Sequence, residues 1–339
     1  MLDTYLTSDT MKTFIGLAVT ESSPVSLYSP YSAFNIPLLE SGTIFDGKWG
    51  FVKGGIGNVT KELAQINKRR GVSIITSAKV NHVSKDGEVT YEKKGTMKSI
   101  AADHVIFATD PLTASLLTDN EQLIRTVSKK KFLGTSGKLI MFFKKPVQWK
   151  DSDYKKDFES ACRFIFISNT PDQFEMSTRD TKRKEFSPCY FEIYCEGAGR
   201  RKMGEKMTYD VIDIFFKNLA LSRKGKELEH VRKEVEELIL SKIKNKGDLI
   251  TSILLTPKDL QEIFFFPEGN IDHLEVCEGQ TFFQRNYSPN PKKNFYQFGN
   301  SKRMYYCGAG AYPCGSVAGT PGYMCAKYLI KNQGGIKNK

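Results

Sequence analysis

The chain has 339 residues, with 50 lysines and arginines against 38 acidic residues and a formal net charge of +12. At 40% hydrophobic and 26% charged residues it has the composition of a globular chain, which excludes intrinsic disorder and collagen-like structure. No apolar run approaches the ~18–20 residues that span a bilayer, and the length suits two domains at roughly 100–200 residues each.

In chain order, Leu2, Tyr5 and Leu6 share a face at helical spacing, and Pro24, Pro30 and Pro37 then break the pattern. WGFVKGGIGN (49–58) is a glycine turn. After it, Val59, Leu63 and Ile66 predict one apolar face of a helix, with Gly71 as its C-terminal stop. VSIITSAKVNHVSKDGEVTYEKKG (72–95) reads as two or three alternating strands with a hairpin at Asp86-Gly87. A short buried strand, His104–Ala108, ends at Thr109-Asp110-Pro111.

In the middle of the chain, KLIMFFKK (138–145), CRFIFIS (162–168) and CYFEIYCEG (189–197) are strand-like, and QFEMSTRDTKRKEFSP (173–188) reads as a polar stretch between them. The clearest helix covers 224–246, with Leu228, Val231, Val235, Leu238 and Ile243 on one stripe. Thr256 and Pro257 then open a further helix as N-cap and first helical residue, which ends near Pro267. Residues 303–330, RMYYCGAGAYPCGSVAGTPGYMCAKYLI, read as strand, glycine-rich turn and helix. Strands alternating with helices define an α/β chain.

The residues that could carry chemistry are few. Glycine turns at Gly54-Gly55-Ile56-Gly57, at Gly269-Asn270 and from Gly308 to Gly322 could let a ligand approach the backbone or serve as plain structural turns. None is a G-x-G-x-x-G or a G-x-x-x-x-G-K-[ST], and no G-x-S-x-G occurs. His273, next to the Gly269-Asn270 turn, is a candidate active-site residue, with a structural role as its alternative. Cys314 is a candidate reactive thiol or a small packing residue. The seven cysteines form no C-x-x-C pair and the four histidines are scattered, so metal spacing is absent. That cysteine usage is expected of reduced thiols in an intracellular protein. The N-terminus has neither the basic n-region of a signal peptide nor a transit-peptide composition. The lysines are spread in small groups without a nucleic-acid motif, so no specific nucleic-acid partner is expected.

Taken in order, WGFVKGGIGNVTKELAQ, AKVNHV, HVIFATDP, TPKDLQEIFFFPEGNIDH and MYYCGAGAYPCGSVAGTPG resemble the phytoene-desaturase-like FAD oxidoreductases, over almost the whole chain. The resemblance implies an FAD-linked reductase fold with two interleaved domains. Residues 54–112 and 255–339 would belong to the FAD-binding domain, and 1–53 and 113–254 to a mixed-sheet substrate domain. It implies hydride removal from an unidentified, apolar small-molecule substrate, and a location in the mitochondrial matrix or the cytoplasm. Val80 would contact the adenine through its backbone. Ala108, Thr109 and Asp110 would end the strand beside the cofactor, and Gly54, Gly55 and Gly57 would lie near the flavin face. Gly308, Ala309, Gly310, Gly315 and Val317 would run along the ribityl chain and flavin, with the next helix aimed at the flavin.

The family's N-terminal G-x-G-x-x-G segment has no counterpart here. This leaves a fragment, a shortened protein without FAD, or a half completed by another chain. An interaction protein that keeps only the substrate domain is the alternative function. Such a chain is expected to expose Val80, Val83, Val105, Phe107, Tyr305 and Tyr306 and to self-associate. Cys314, Ser316 and Glu268 stand where the family usually has glycine, and they are expected to crowd or charge the flavin site.

Overall fold

The computed structural model describes residues 1–16, 23–34, 36, 50–150, 163–167 (main chain), 170–187, 190–222, 224–315 and 319–332. Pro37, Trp49, Cys162, Cys189, Ser316 and Val317 lie outside the described residues. Two short helices, α1 (Leu2–Tyr5) and α2 (Asp9–Gly16), come first. The glycine turn then opens α3 (Gly57–Arg69), which stops at Gly71 with φ 80°. A three-stranded antiparallel meander follows: β1 (Ala78–Val83), β2 (Glu88–Lys93) and β3 (Thr96–Ala101). Asp86-Gly87 forms the first hairpin, with Gly87 at φ 91°. Residues 72–76, expected as part of a strand, are exposed and lie outside any strand or helix. Next come β4 (Val105–Phe107), α4 (Pro111–Leu116) and α5 (Glu121–Ser128).

The middle of the chain builds a five-stranded antiparallel sheet of order β6-β7-β8-β5-β9. Its strands are β5 (Gly137–Phe143), β6 (Arg163–Ile167), β7 (Tyr190–Tyr194), β8 (Asp210–Phe216) and β9 (Leu249–Leu255). β5 and β8 bury every second residue, the period-2 pattern of a strand with one face on a core. Most of the polar stretch after the β6 strand forms a helix, α6 (Pro171–Lys182), where no element was expected from the sequence. Its start is a complete capping box, in which Thr170 accepts from Gln173 N–H and Gln173 closes back on Thr170, with Pro171 at the first helical position. Its buried face holds Phe174, Ser177, Thr178 and Thr181, so no apolar period marked it. After α7 (Glu196–Lys202), α8 (Lys226–Leu240) lays Val231, Val235 and Ile239 across the sheet against Leu139, Met141, Ile193, Ile212, Ile214 and Phe216. Leu238, expected on that stripe, is exposed.

The remaining elements are α9 (Pro257–Phe264), β10 (Met304–Tyr306) and α10 (Thr320–Asn332). Thr256 caps α9 as expected, in a capping box with Asp259, and Phe265 in the left-handed region ends the helix before Pro267. β10 pairs with β4 in parallel, Met304 opposite Val105 and Tyr306 opposite Phe107. A second core forms around this pair from Val83, Phe107, Ala114, Leu123, Val127, Phe132, Leu274, Tyr287, Phe298, Met304 and Tyr306. α4, which spans residue 112, and α5 pack with the strand pair through Ala114, Leu123 and Val127. Val83, Phe107, Tyr305 and Tyr306, expected to be left open, are buried. Ala114, Leu123, Val127, Tyr287 and Phe298 pack with Val83, Phe107 and Tyr306, and Tyr305 packs with Tyr296 and with Cys325 of α10. Val80 and Ile106 do stay open, as does the stripe Ile56, Val59, Leu63 and Ile66, and α3 buries no residue at all.

Candidate functional site

The parallel register of β4 and β10 brings their carboxyl ends together, and Cys307 N–H extends the ladder onto the Phe107 carbonyl (2.9 Å). In open α/β sheets ligands bind beyond the carboxyl ends of parallel strands. Here that end carries Ala108-Thr109-Asp110 from one strand and Gly308-Ala309-Gly310 from the other. Asp110 caps α4, its Oδ1 accepting from Thr113 N–H at 2.8 Å. Tyr306 Oη donates to the Thr109 carbonyl (3.0 Å) and Tyr287 Oη to the Gly310 carbonyl (2.8 Å). A Cβ on Gly308 would collide with the Thr109 carbonyl oxygen and the Tyr306 hydroxyl. Only glycine lets the two strand ends close to this separation.

Arg285 locks the turn from beneath. It is buried to 1% exposure, and it donates to the carbonyls of Asp272 (2.7 Å), Ala309 (3.3 Å) and Gln280 (3.3 Å). Its Nε is buried without a hydrogen-bond partner. Asp272 in turn accepts from the Cys314 thiol, 3.4 Å from Oδ1. Burial pushes the Cys314 thiol up to about 12, with the Arg285 charge pulling the other way. Cys314 is therefore a neutral packing residue rather than a reactive thiol. Its φ of 135° is a backbone region suited to glycine.

His273 joins the same cluster. Burial lowers its pKa against the pull of Asp110 and Asp272, so the ring is neutral at pH 7. Its Nδ1 is buried and unpartnered, and the Phe266 ring lies 5.4 Å away. The loop before it is fixed by Asn270, whose amide donates to the Leu133 carbonyl (3.1 Å) and whose Oδ1 accepts from Asp272 N–H (2.8 Å). Glu268 is exposed, so its charge does not enter the cluster.

The structure thus gathers Thr109, Asp110, His273, Gly308, Ala309 and Gly310 around Arg285, with Gly315 packed on Ala309 and Ala108 leading in. The other nominated residues that the structure describes lie elsewhere. The Gly54–Gly57 turn, with Gly54 and Gly55 at φ 77° and 92°, is held on the α7 side of the molecule. Phe51 packs on Gly199 there, and Gly54 lies beside Glu205, whose pKa is lowered first by the Arg200 contact and then by Gly54. Val80 is exposed in β1 opposite Tyr91. Sequence reasoning missed Asp272, Arg285 and Tyr287. Arg285 carried a legible signal, as the lone charge in the aromatic run FFQRNY (282–287). A cleft of about 640 Å³ lined by Lys145, Trp149, Arg201, Lys202 and Asp210 lies at the end of β5 away from the Asn270–His273 loop.

Compared with known proteins, residues 12–315 match the flavin-containing amine oxidoreductase family. The chain belongs to that family. Two mammalian proteins, both pyridine nucleotide-disulfide oxidoreductase domain-containing protein 2, align over 87 residues, 26% of this chain. Identity is 34% for the Mus musculus protein and 37% for the Rattus norvegicus one. The aligned segment spans 14% of either relative's length. Among solved structures, cyclohexylamine oxidase from Brevibacterium oxydans IH-35A superposes on 98% of this chain with a TM-score of 0.52 and 12% identity. That match covers 66% of the oxidase, and at this identity it speaks for the fold alone. The family member described here thus has the mixed α/β architecture of an FAD-linked oxidase. Among its described residues no helix is long and apolar enough to cross a membrane.

Proposed function

We propose that the chain forms the substrate side and one wall of the flavin site of an FAD-dependent oxidoreductase that removes hydride from a small substrate. The observation that carries this reading is the junction of β4 and β10, where Gly308 has no room for a Cβ and backbone groups crowd one strand end. The residues present fit one side of a flavin cofactor. Two buried nitrogens at the cluster, Arg285 Nε and His273 Nδ1, still lack partners, and buried polar groups are otherwise almost always satisfied. Gly308, Ala309, Gly310 and Gly315 would line the cofactor through the main chain, and Asp110 would mark the end of β4 beside it. When bound, a flavin supplies the two-electron acceptor for a substrate C–H bond, and the protein's part is orientation and exclusion of water. His273, neutral and buried, would orient a bound group through Nδ1. Asp272 and Arg285 would hold the turn in shape.

No G-x-G-x-x-G occurs in the 339 residues. The phosphate-cradling turn would therefore come from another polypeptide segment, in cis or in trans. The exposed stripe of α3 and the open 72–76 segment offer apolar surface for it to cover. By the same reading the protein works in the mitochondrial matrix, which cell fractionation against a matrix marker tests.

The decisive experiment is reconstitution. Purified alone, the chain is expected to be colourless, since the pyrophosphate contacts that anchor FAD are not in its sequence. Co-expressed with the dinucleotide-binding segment of a relative, it should acquire flavin absorbance, and candidate substrates can then be screened for flavin bleaching. A stoichiometric yellow protein from the chain alone would refute the divided site. The second reading, a non-catalytic interaction protein, is favoured by Cys314, whose side chain fills a glycine-like position with φ 135°. It gains if the reconstituted protein stays flavin-free.

A further inference from the structure

The glycine-rich segment is bracketed by two cysteines that the fold brings together. Cys307 follows β10 directly, held by its N–H on the Phe107 carbonyl (2.9 Å), and is half-buried. Cys325 sits on α10 and is 1% exposed. Cys307 packs against the cluster that holds Cys325, together with Tyr296, Tyr305, Tyr312 and Tyr328, and each thiol shifts the pKa of the other. Gly308, Ala309, Gly310 and Gly315 all lie in the loop between them. Neither cysteine is in a disulfide. A third polar group lies in the same cluster. The Tyr296 hydroxyl is buried with no hydrogen-bond partner, and both thiols contribute to raising its pKa.

We propose that Cys307 and Cys325 are a peroxide-responsive dithiol whose oxidation ties β10 to α10 and clamps the glycine turn between them. The half-buried Cys307 is the attacking sulfur. The neighbouring Cys325 lowers the Cys307 pKa, with burial opposing it, whereas Cys307 and burial together raise that of Cys325. The thiolate attacks one oxygen of hydrogen peroxide, the O–O bond breaks, and Cys307 becomes a sulfenic acid while hydroxide takes up a proton and leaves as water. The Cys325 sulfur then attacks the Cys307 sulfur, the S–O bond breaks, the S–S bond forms, and a second water leaves with the Cys325 proton. Two thiols are oxidised by two electrons and one peroxide is reduced by two. Tyr296 supplies the donor that the departing oxygen requires. Cys314 and Cys277, both pushed up by burial, stay thiols. The dithiol does not depend on the flavin reading, although an oxidase that forms peroxide would be a nearby source.

The test is titration of the purified chain with hydrogen peroxide, followed by differential alkylation and peptide mass spectrometry. One equivalent should consume two thiols and yield a peptide pair joined through Cys307 and Cys325, reversed by dithiothreitol, with a higher melting temperature while oxidised. In Cys325→Ser, Cys307 should stop at sulfenic acid and be trapped by dimedone. In Tyr296→Phe, the fold should be kept and thiol loss should slow several-fold. A Cys307 that does not react, that passes directly to sulfinic acid in the unmutated chain, or that pairs with another cysteine overturns the proposal.

Discussion

In the five-stranded sheet, β5 and β8 bury alternate residues and α8 closes that face with Val231, Val235 and Ile239. α3 carries an apolar stripe of similar kind, Val59, Leu63 and Ile66, and leaves all of it in solvent. Amphipathic period alone therefore says that a face can be buried, and only the tertiary partner decides whether it is. The contrast predicts the largest difference in the molecule. Leu139→Ala, at a site with 0% exposure, should cost about 2–5 kcal/mol of unfolding free energy in a urea titration. Leu63→Ala should stay within about 0.5 kcal/mol of the parent. Equal costs would mean that α3 is packed in solution and the comparison fails. The same open face should drive self-association that grows as salt screens the net positive charge. Light scattering across a salt series checks this, and Leu63→Glu should abolish it.

The strand-end cluster stands between these extremes, being buried but held by polar contacts. Arg285 satisfies three main-chain carbonyls from within. Arg285→Met should cost about 2–4 kcal/mol, because buried acceptors are left without donors. Arg285→Lys should recover little of it, since an ammonium cannot fork to several acceptors. Full rescue by lysine would show that only the charge matters there.

How far the sequence could be read follows the same division. The hairpin at Asp86-Gly87, the Thr256 cap and the α8 stripe were legible because each is a local signal. α6 was hidden because its buried face is mostly Ser and Thr, which satisfy neighbouring main-chain groups, Thr178 on Phe174 and Thr181 on Ser177. At the strand-end cluster, Thr109, Asp110 and Gly308–Gly310 were nominated through the family resemblance, which rests on a strand end and a glycine turn that are both local signals. Arg285 and Asp272 were not, because their role comes from contacts such as Arg285 with Ala309 that no spacing encodes. The burial of Tyr306 was misjudged for the same reason, since residues far along the chain supply its cover.

A smaller effect distinguishes the cluster from the sheet by pH. Burial lowers the His273 pKa in the folded state below its ordinary value near 6.5. Between those two values the unfolded chain binds the proton and the folded one does not, so this contribution is intact above pH 6.5 and is lost as pH falls. The slope cannot exceed about 1.4 kcal/mol per pH unit. Glu275 and Glu196, both raised by burial, act in the opposite direction above the ordinary glutamate range. Comparison with His273→Gln isolates the histidine, because the glutamates contribute equally to both proteins. Urea titrations at pH 7.5 and 5.5 should show the parent losing more stability than the variant. Parallel losses would place the His273 ring in water.

The smallest expected effect is at Cys314. Its φ of 135° imposes a backbone cost that glycine does not bear, on the order of 1–2 kcal/mol for a side chain held outside the usual regions. Against this, Cys314→Gly gives up a buried thiol and a weak contact of 3.4 Å to Asp272, and it loosens the unfolded chain, worth roughly 0.4–1 kcal/mol. The terms oppose one another, so the variant should melt within about 1 kcal/mol of the parent. Removing the side chain also opens space beside Gly315 at the turn that would face the flavin. Stability should therefore hardly move, whereas flavin uptake in the reconstituted protein should rise if Cys314 crowds the cofactor. Unchanged uptake with unchanged stability would show that the thiol points into the protein's own packing and leaves the flavin side of the turn untouched.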